Sequence, residues 1–214
     1  MDLISEFVLA AGLAWASGIR LYAAVFLAGI LQRFGYIVLP GDLAVLSHDW
    51  VLYAAGGMLI GEFLADKIPA FDSVWDGLHT FIRIPGGTAL AVAALGDQGA
   101  AAQIAAGLIG GSIVSGTHLT KAGTRAAINH SPEPFSNWFA SFSEDGLVVF
   151  GLWLAWQHPW IFVALLAVFM LLVIWLLPKL WRLLRESLRA LRRLLSRLFA
   201  SHPSGADSPP RSGQ

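Results

Sequence analysis

Long apolar runs constrain the fold of this chain more than any other feature. A helix needs roughly 20 mainly apolar residues to cross a bilayer. The candidate runs are residues 7–31, 50–65, 84–95, 100–128, 146–157 and 160–177. The third and fifth runs are short, so we expect them to be tilted, partly buried, or extended by polar residues that face protein. We predict an all-α polytopic membrane protein with about six spans, five and seven being the alternatives.

The distribution of charge indicates how these spans are oriented. Hydrophobic residues make up 56% of the 214 residues and charged residues only 13%, whereas a soluble domain is about 25% charged. The C-terminal segment holds many of the 14 Lys and Arg residues. If this segment is cytoplasmic, six spans place both termini inside, in agreement with the positive-inside rule. The first apolar run continues well beyond residue 16, so we expect an uncleaved span rather than a signal peptide.

The first and fourth runs share a local pattern. "AAGLAWASGIRLY" begins at Ala10 and "AAGLIGGSIVSGTHLT" begins at Ala105. Each opens with Ala-Ala-Gly-Leu and later has Ser-Gly followed by a basic-type residue, although the second needs a three-residue insertion. Two three-span halves of inverted topology would explain the pattern. The alternative is that Ala, Gly and Ser simply recur in membrane helices.

The character of the chain changes after Pro178. Leucines recur at three- and four-residue steps in "KLWRLLRESLRALRRLLSRLF", with arginines on the opposite face. This pattern predicts an amphipathic helix that binds anionic lipids at the inner membrane surface rather than nucleic acid. The residues predicted to contact lipid are Arg182, Arg185, Arg189, Arg192 and Arg193. We therefore predict a transmembrane domain over 1–178, a basic surface helix over 179–200 and a disordered tail over 201–214.

An arginine lies in the middle of the first apolar run. Placing Arg20 at the centre of a span costs at least about 2.5–3.5 kcal/mol on insertion scales, so it must face a partner or water. Glu62 and Asp66, near the end of the second run, are the expected partners. The pair could be structural and hold two helices together. Alternatively, Gly18 could mark an unwound point where backbone groups reach a solute.

The segment "GEFLADKIPAFDSVWDGLHTFIR" holds an unusual density of charge between two apolar runs. Glu62 and Asp66 share a helix face, and Asp72, Asp76 and His79 follow helical spacing after Pro69. These groups could hold a hard cation through oxygen ligands or relay protons. They could equally form a solvated cytoplasmic loop whose aromatic side rests on lipid.

A second polar cluster follows the fourth run. His118, Lys121 and Arg125 fall close to one helix face. Glu144 and Asp145 come at the expected start of the fifth span, where negative charge suits the helix dipole. Together with the first cluster, this segment would bring acids and bases to one side of the membrane.

The sequence also contains rows of small residues and lacks the common motifs of enzymes and of thiolate metal sites. Rows of small residues at four-residue spacing predict close helix packing, within or between chains; they are Gly57, Gly61, Gly107, Gly111 and Ser115. The chain has no cysteine, which excludes disulfides and thiolate metal sites. It has no phosphate-binding Gly-Lys-Ser/Thr loop, no HExxH motif and no nucleophile elbow. We therefore expect no enzymatic activity and no cofactor, while a bound metal is left open.

Three segments resemble a known family. "SGIRLY", "GEFLADKIPAFDSVWDGLHTFIRIPGG" and "SGTHLTKAGTRAAINHSPEPFSNW" resemble a family of bacterial integral-membrane proteins named as a domain of unknown function, DUF4126. The resemblance covers roughly residues 5–178 and implies a multi-span protein of the bacterial inner membrane. It supplies no substrate and no catalytic residue.

Two functions remain open from the sequence. The first is a transporter or channel-like carrier of a small solute or ion. Its inner pathway would be lined by Arg20, Glu62, Asp66, Asp72, Asp76, His79, His118, Lys121 and Arg125. The second is a non-transporting membrane scaffold or assembly protein whose charges form structural ion pairs. Either protein could associate as a homo-oligomer.

Overall fold

The computed structural model describes residues 2–128 and 134–200. Within these ranges it leaves the side chains of residues 69, 70, 73 and 134 undescribed, and those of 180–200 apart from Arg182 and Arg185. The α-helices are α1 (Leu3–Arg33), α2 (Asp49–Ala65), α3 (Pro69–Ala93), α4 (Ala100–Ile128), α5 (Pro134–Gln157) and α6 (Pro159–Ala200). Short 3₁₀ helices occupy Gly41–Ser47 and Gly96–Gln98. The described chain is therefore all-α, as the sequence predicts.

Three described helices are long and apolar enough to cross a membrane: α1, α4 and the Pro159–Lys179 part of α6. A fourth candidate is the bent pair formed by the 3₁₀ helix Gly41–Ser47 and α2, whose axes differ by 72°. Helices α3 and α5 are long enough but not apolar enough to meet this criterion, because polar residues occupy their first halves. The structure thus supports a multi-pass membrane protein with three or four candidate spans.

The polar residues of α3 and α5 point inward, and large apolar residues cover the outside of these helices. On α3, Asp76 is 3% exposed while Phe81 is 82% exposed. On α5, Ser141 is fully buried while Phe139 is 77% exposed. This distribution is the reverse of that in a soluble protein. It agrees with the expectation that the short third and fifth runs are extended by polar residues that face protein.

Helix α1 is broken in its middle, at Arg20, where φ is −145° and ψ is 90°. Before the break, Gly12 lies against Ala155 of α5 and Gly18 against Thr117 of α4. After the break, Phe26 lies against Gly56 of α2. One of the two interpretations of the sequence puts an unwound point at Gly18. In the structure the break is two residues later, and Gly18 instead permits close contact with α4. Helix α4 is continuous over Ala100–Ile128.

Close helix contacts depend on glycines. A Cβ atom added at Gly87 of α3 would lie 2.8 Å from Cβ of Ser17 and 2.7 Å from Cγ2 of Val114. Of the residues predicted for packing, Gly107 and Gly111 lie against Val92 and Thr88 of α3. Ring atoms of Trp75 lie 3.6 Å from a Cβ built at Gly61, whereas Gly57 faces open space. The hydroxyl of Ser115 donates to the Gly111 carbonyl of its own helix at 2.7 Å.

The described residues form two compact units, which divide between Trp175 and Leu176. In the second unit, the backbone is helical to Ala200, and Arg182 and Arg185 are exposed. The side chains of Arg189, Arg192 and Arg193, and the whole of the predicted tail 201–214, lie outside the described residues. Lipid binding by this segment remains a prediction.

Candidate functional site

The guanidinium of Arg20 is fully buried and contacts two helices besides its own. Its Nη2 contacts the Asp66 carboxylate at the end of α2 and donates to the Ser141 hydroxyl of α5 at 2.8 Å. Its Nε lies 2.7 Å from Oδ1 of Asp145, and its Nη1 lies 3.9 Å from Oε1 of Glu62. The sequence predicts Glu62 and Asp66 as the partners of Arg20, and the structure confirms both contacts.

A second buried arginine comes from α3. Arg83 is fully buried; its Nη2 contacts the Glu62 carboxylate and its Nη1 donates to Oδ1 of Asp76 at 2.7 Å. Asp76 and Arg83 are seven residues apart, so two helical turns bring them to the same face. Glu62 therefore lies between the arginines of α1 and α3.

Lys121 of α4 lies where the acidic groups of three helices meet. Its Nζ is 3.3 Å from Glu62, 3.3 Å from Glu144 and 3.5 Å from Asp76. It also donates to the backbone carbonyl of Ile19, next to the break in α1, at 3.0 Å. One ammonium group thus connects α1, α2, α3 and α5 to α4.

Arg125 lies one turn further along α4 and holds Glu144 in a bidentate pair. Its Nε donates to Oε1 at 2.7 Å and its Nη2 to Oε2 at 3.0 Å. The same Nη2 lies 3.2 Å from Asp66, and Nη1 donates to the Asn137 carbonyl at 3.1 Å. Paired geometry of this kind is the strongest arrangement of arginine with carboxylate.

We refer to these nine ionisable residues as the charge network. The network consists of Arg20, Arg83, Lys121 and Arg125 with Glu62, Asp66, Asp76, Glu144 and Asp145. Five acids against four bases give one surplus negative charge when all are ionised. The side chain of Asp145 is 32% exposed and that of Glu144 is 14% exposed, while the other seven are at most 4% exposed. Because desolvating so many charges is costly, their pairing must offset a large penalty.

The remaining predicted site residues lie at the edge of the charge network. His79 stacks on Trp75 with centroids 4.2 Å apart, and its Nδ1 lies 2.8 Å from the Trp75 carbonyl. His118 is fully buried and its Nε2 lies 2.7 Å from the Thr80 hydroxyl. Asp72 is also fully buried on α3. Among the described residues, no group of three or more His, Asp or Glu side chains is arranged to hold a metal ion, so the predicted hard-cation site finds no support there.

Several buried polar atoms of the network and its surroundings have no hydrogen-bond partner among the described residues. They include Oε2 of Glu62, Oδ1 of Asp66, Oδ2 of Asp76 and both side-chain polar atoms of Asn137. Buried polar groups are normally hydrogen-bonded, and unsatisfied ones need an explanation.

Lys67 lies beside the network, at the connection between α2 and α3. Its Nζ is 3.7 Å from the ring centroid of Phe63 and 4.6 Å from that of Phe142. Desolvation lowers the pKa of Lys67, against the opposing effect of the Asp66 charge. Aromatic faces attract a cation through their quadrupole, which accounts for the position of this ammonium among rings.

The sequence missed four residues of this site. Arg83, Ser141, Glu144 and Asp145 contact the predicted residues but are not among the predicted pathway residues, although the sequence does group Glu144 and Asp145 with the second polar cluster. The interpretation that Glu144 and Asp145 lie at a helix N-terminus, where they would suit the helix dipole, is wrong, because α5 begins at Pro134 and places them mid-helix. For Arg83, the seven-residue spacing from Asp76 is a signal that could have indicated the pair.

The charge network lies towards one end of the bundle. At 1.5 Å per residue, His118 is about 27 Å and Arg125 about 37 Å along α4 from Ala100. A hydrocarbon core is about 30 Å thick. If α4 crosses the bilayer, the network therefore lies close to one membrane surface and extends partly into the apolar layer.

Comparison with known proteins identifies a family. No curated protein and no solved structure matches the chain. The family model described as "Domain of unknown function (DUF4126)" matches residues 7–179. The matched region includes every residue of the charge network. The chain therefore belongs to the DUF4126 family.

Proposed function

We propose that this protein is a carrier or channel-like transporter of a small solute or ion, in which the charge network forms a closed gate near the inner membrane surface. The observation that carries the proposal is the break of α1 at Arg20, inside an apolar helix and within the network. Broken helices near binding sites are a recurring device of secondary transporters. Irregular backbone at membrane depth is tolerated where protein or a water-filled cavity surrounds it.

The proposed topology places the charge network on the cytoplasmic side of the bacterial inner membrane. The prediction of six spans with both termini on that side does not agree with α1, because Glu6, near its start, accepts a hydrogen bond of 2.8 Å from Gln98, at the far end of α4 from the network. Helices α3 and α5 contain 25 and 24 residues, which is long enough to cross a layer of about 30 Å at about 1.5 Å per residue. Their charges are directed into the bundle, and their outer faces are apolar. The inverted repeat predicted from the Ser-Gly segments does not agree with the contacts of these helices. Ala14 lies against Gly110 and Gly18 against Thr117, so the first half of α1 runs parallel to α4.

The surplus negative charge of the charge network favours transport over a static scaffold. Purely structural ion pairs need no surplus charge. A gate that opens and closes must exchange partners, and Glu62 and Lys121 each have several. We expect neutralisation of Arg20 or Asp76 to abolish transport in protein that still folds.

A membrane scaffold is the second candidate. It is favoured by the deep burial of seven of the nine charges and by their mutual pairing. In a scaffold, the network would fix five helices together and would open no path for water beyond the network. Access of water to the bundle beyond the network therefore distinguishes the two functions.

Single cysteines provide this test, because the natural chain has none. Ser17 is fully buried, its hydroxyl has no partner among the described residues, and it lies three residues before the break. Ser141 lies inside the network. Ser17→Cys and Ser141→Cys would be reconstituted in liposomes and treated from each side with a membrane-impermeant thiol reagent. Asp42→Cys, at an exposed position, is the positive control, and Ser112→Cys, on the outer face of α4, is the lipid-facing control.

Transport predicts that the Ser17→Cys variant is labelled, more slowly than Asp42→Cys, while Ser112→Cys stays unreactive. Labelling of the Ser141→Cys variant without labelling of Ser17→Cys would mean that water reaches the network only from the nearer surface, as in a scaffold. If the variants at Ser17, Ser141 and Ser112 are all unreactive while Asp42→Cys reacts, the transport proposal is wrong.

A further inference from the structure

The outer face of α5 carries a groove that begins at the charge network. It is a shallow depression, largely open to its surroundings, with a volume of about 650 Å³, and it is lined by Asp145, Gly146, Val149, Phe150 and Trp153. Apart from the Asp145 carboxylate, the named side chains are apolar. The groove therefore combines a hydrophobic floor with one charged end.

Asp145 connects this groove to the buried charges. Its side chain is 32% exposed, more than that of any other member of the charge network, and its Oδ1 lies 2.7 Å from Nε of Arg20. The ion pair between Asp145 and Arg20 thus connects the groove to the break in α1. A ligand bound beside Asp145 would change the electrostatic field at Arg20 directly.

The charge balance determines which ligand fits. The charge network holds five carboxylates and four basic groups, and Asp145 is the acid most accessible from outside. One positive charge placed beside Asp145 would neutralise the surplus. An anion would add a second uncompensated negative charge in a region of low dielectric, which is strongly unfavourable.

Aromatic side chains determine the shape of the ligand. The rings of Phe150 and Trp153 are stacked, with centroids 5.7 Å apart and planes 28° from parallel. They present an extended apolar surface beside Val149. Aromatic faces favour apolar bodies and attract cations. Gly146 leaves the end nearest Asp145 open, because a Cβ added there meets no atom within 4 Å.

We propose that this groove binds a lipophilic organic monocation, with the charge beside Asp145 and the apolar body against Val149, Phe150 and Trp153. The inference rests on the proposed transport function and names its substrate class. The cation would reach the groove from the lipid side and act on the gate through the Asp145–Arg20 pair.

Binding of tetraphenylphosphonium to the purified full-length protein in detergent tests this inference. Tetraphenylborate has the same shape and the opposite charge, so it controls for simple hydrophobic adsorption. Gly146→Leu should fill the groove without a clash, since the position faces open space. Gly57→Leu is the matched control, because Gly57 of α2 also faces open space and lies away from the groove.

We expect saturable binding of tetraphenylphosphonium, a loss of affinity of at least about tenfold in Gly146→Leu, and less than about a twofold change in Gly57→Leu. Asp145→Asn should reduce the preference for the cation over the borate. Equal binding of both ions, or unchanged affinity in Gly146→Leu, would show that the groove is an ordinary lipid-covered surface and overturn the inference.

The binding experiment and the cysteine labelling test different claims, so either proposal can be wrong while the other holds. Labelling of the Ser17→Cys variant without cation binding would overturn the inference and leave transport standing with another substrate class. Cation binding with an unreactive Ser17→Cys variant would support the groove as a binding site and leave a ligand-binding scaffold.

Discussion

The side-chain ammonium of Lys121 lies 3.0 Å from the backbone carbonyl oxygen of Ile19, the residue before the break in α1. Non-helical angles at Arg20 interrupt the i→i−4 hydrogen bonds that cross this residue. A buried carbonyl left without a partner costs free energy comparable to a lost hydrogen bond. Lys121 therefore supplies a replacement partner from α4 and couples the broken helix to the charge network.

Replacing Lys121 should destabilise the protein strongly. Lys121→Met leaves the Ile19 carbonyl and three carboxylates without their ammonium, and breaking a buried pair in this way costs about 3–5 kcal/mol. Chemical unfolding in detergent micelles measures the loss. Lys67→Met is the control, because Lys67 is in direct contact with aromatic rings and feels the Asp66 charge only at longer range; a cation–π contact is worth about 0.5–2 kcal/mol. Equal losses in both variants would contradict the role assigned to Lys121.

The Arg125–Glu144 pair should show strong energetic coupling. A double-mutant cycle with Arg125→Met and Glu144→Gln should give a coupling energy of about 1.5–3 kcal/mol, because the pair is bidentate and nearly buried. The matched cycle on Arg33 and Asp49, whose side chains are 46% and 54% exposed, should give less than about 1 kcal/mol. Similar values for the two pairs would mean that burial does not strengthen the network.

Close packing of α1, α3 and α4 should depend on Gly87. Gly87→Ala places a methyl group 2.7 Å from Val114 and 2.8 Å from Ser17, and overpacking of this kind typically costs about 1–3 kcal/mol. Gly57→Ala faces open space and should be neutral or stabilise by up to about 1 kcal/mol, since alanine favours the helix. The melting temperatures of the two variants should therefore move in opposite directions or differ clearly. A Gly87→Ala variant as stable as Gly57→Ala would contradict the packing described for these helices.

The sequence predicts the helical class and the pairing of Arg20 with Glu62 and Asp66, because intramembrane charge needs a partner. It underestimates α3 and α5, since hydropathy averages over a helix and cannot distinguish inward from outward charges. Asp76 is buried and Phe81 is exposed on the same helix. A period-3.6 analysis of that segment carries more information than its mean hydropathy.

The role of α5 in the site could not be predicted from local pattern. Ser141, Glu144 and Asp145 reach Arg20 and Arg125 only because α5 packs along α1; Arg20 and Ser141, for example, are 121 positions apart in the chain. The break at Arg20 is likewise a tertiary effect, since the surrounding sequence is strongly helical. Partners from α2, α4 and α5 stabilise a backbone conformation that the local sequence does not favour.

The most direct test of the account is hydrogen–deuterium exchange of the unmodified protein in lipid nanodiscs. The account predicts that amides of residues 17–24, around the break in α1, exchange within minutes, whereas residues 8–14 of the same helix and 108–115 of α4 remain protected for hours. This result would show that water reaches the broken helix inside the charge network. Protection of residues 17–24 equal to that of both reference segments would contradict the account and leave the network as a static clamp between helices.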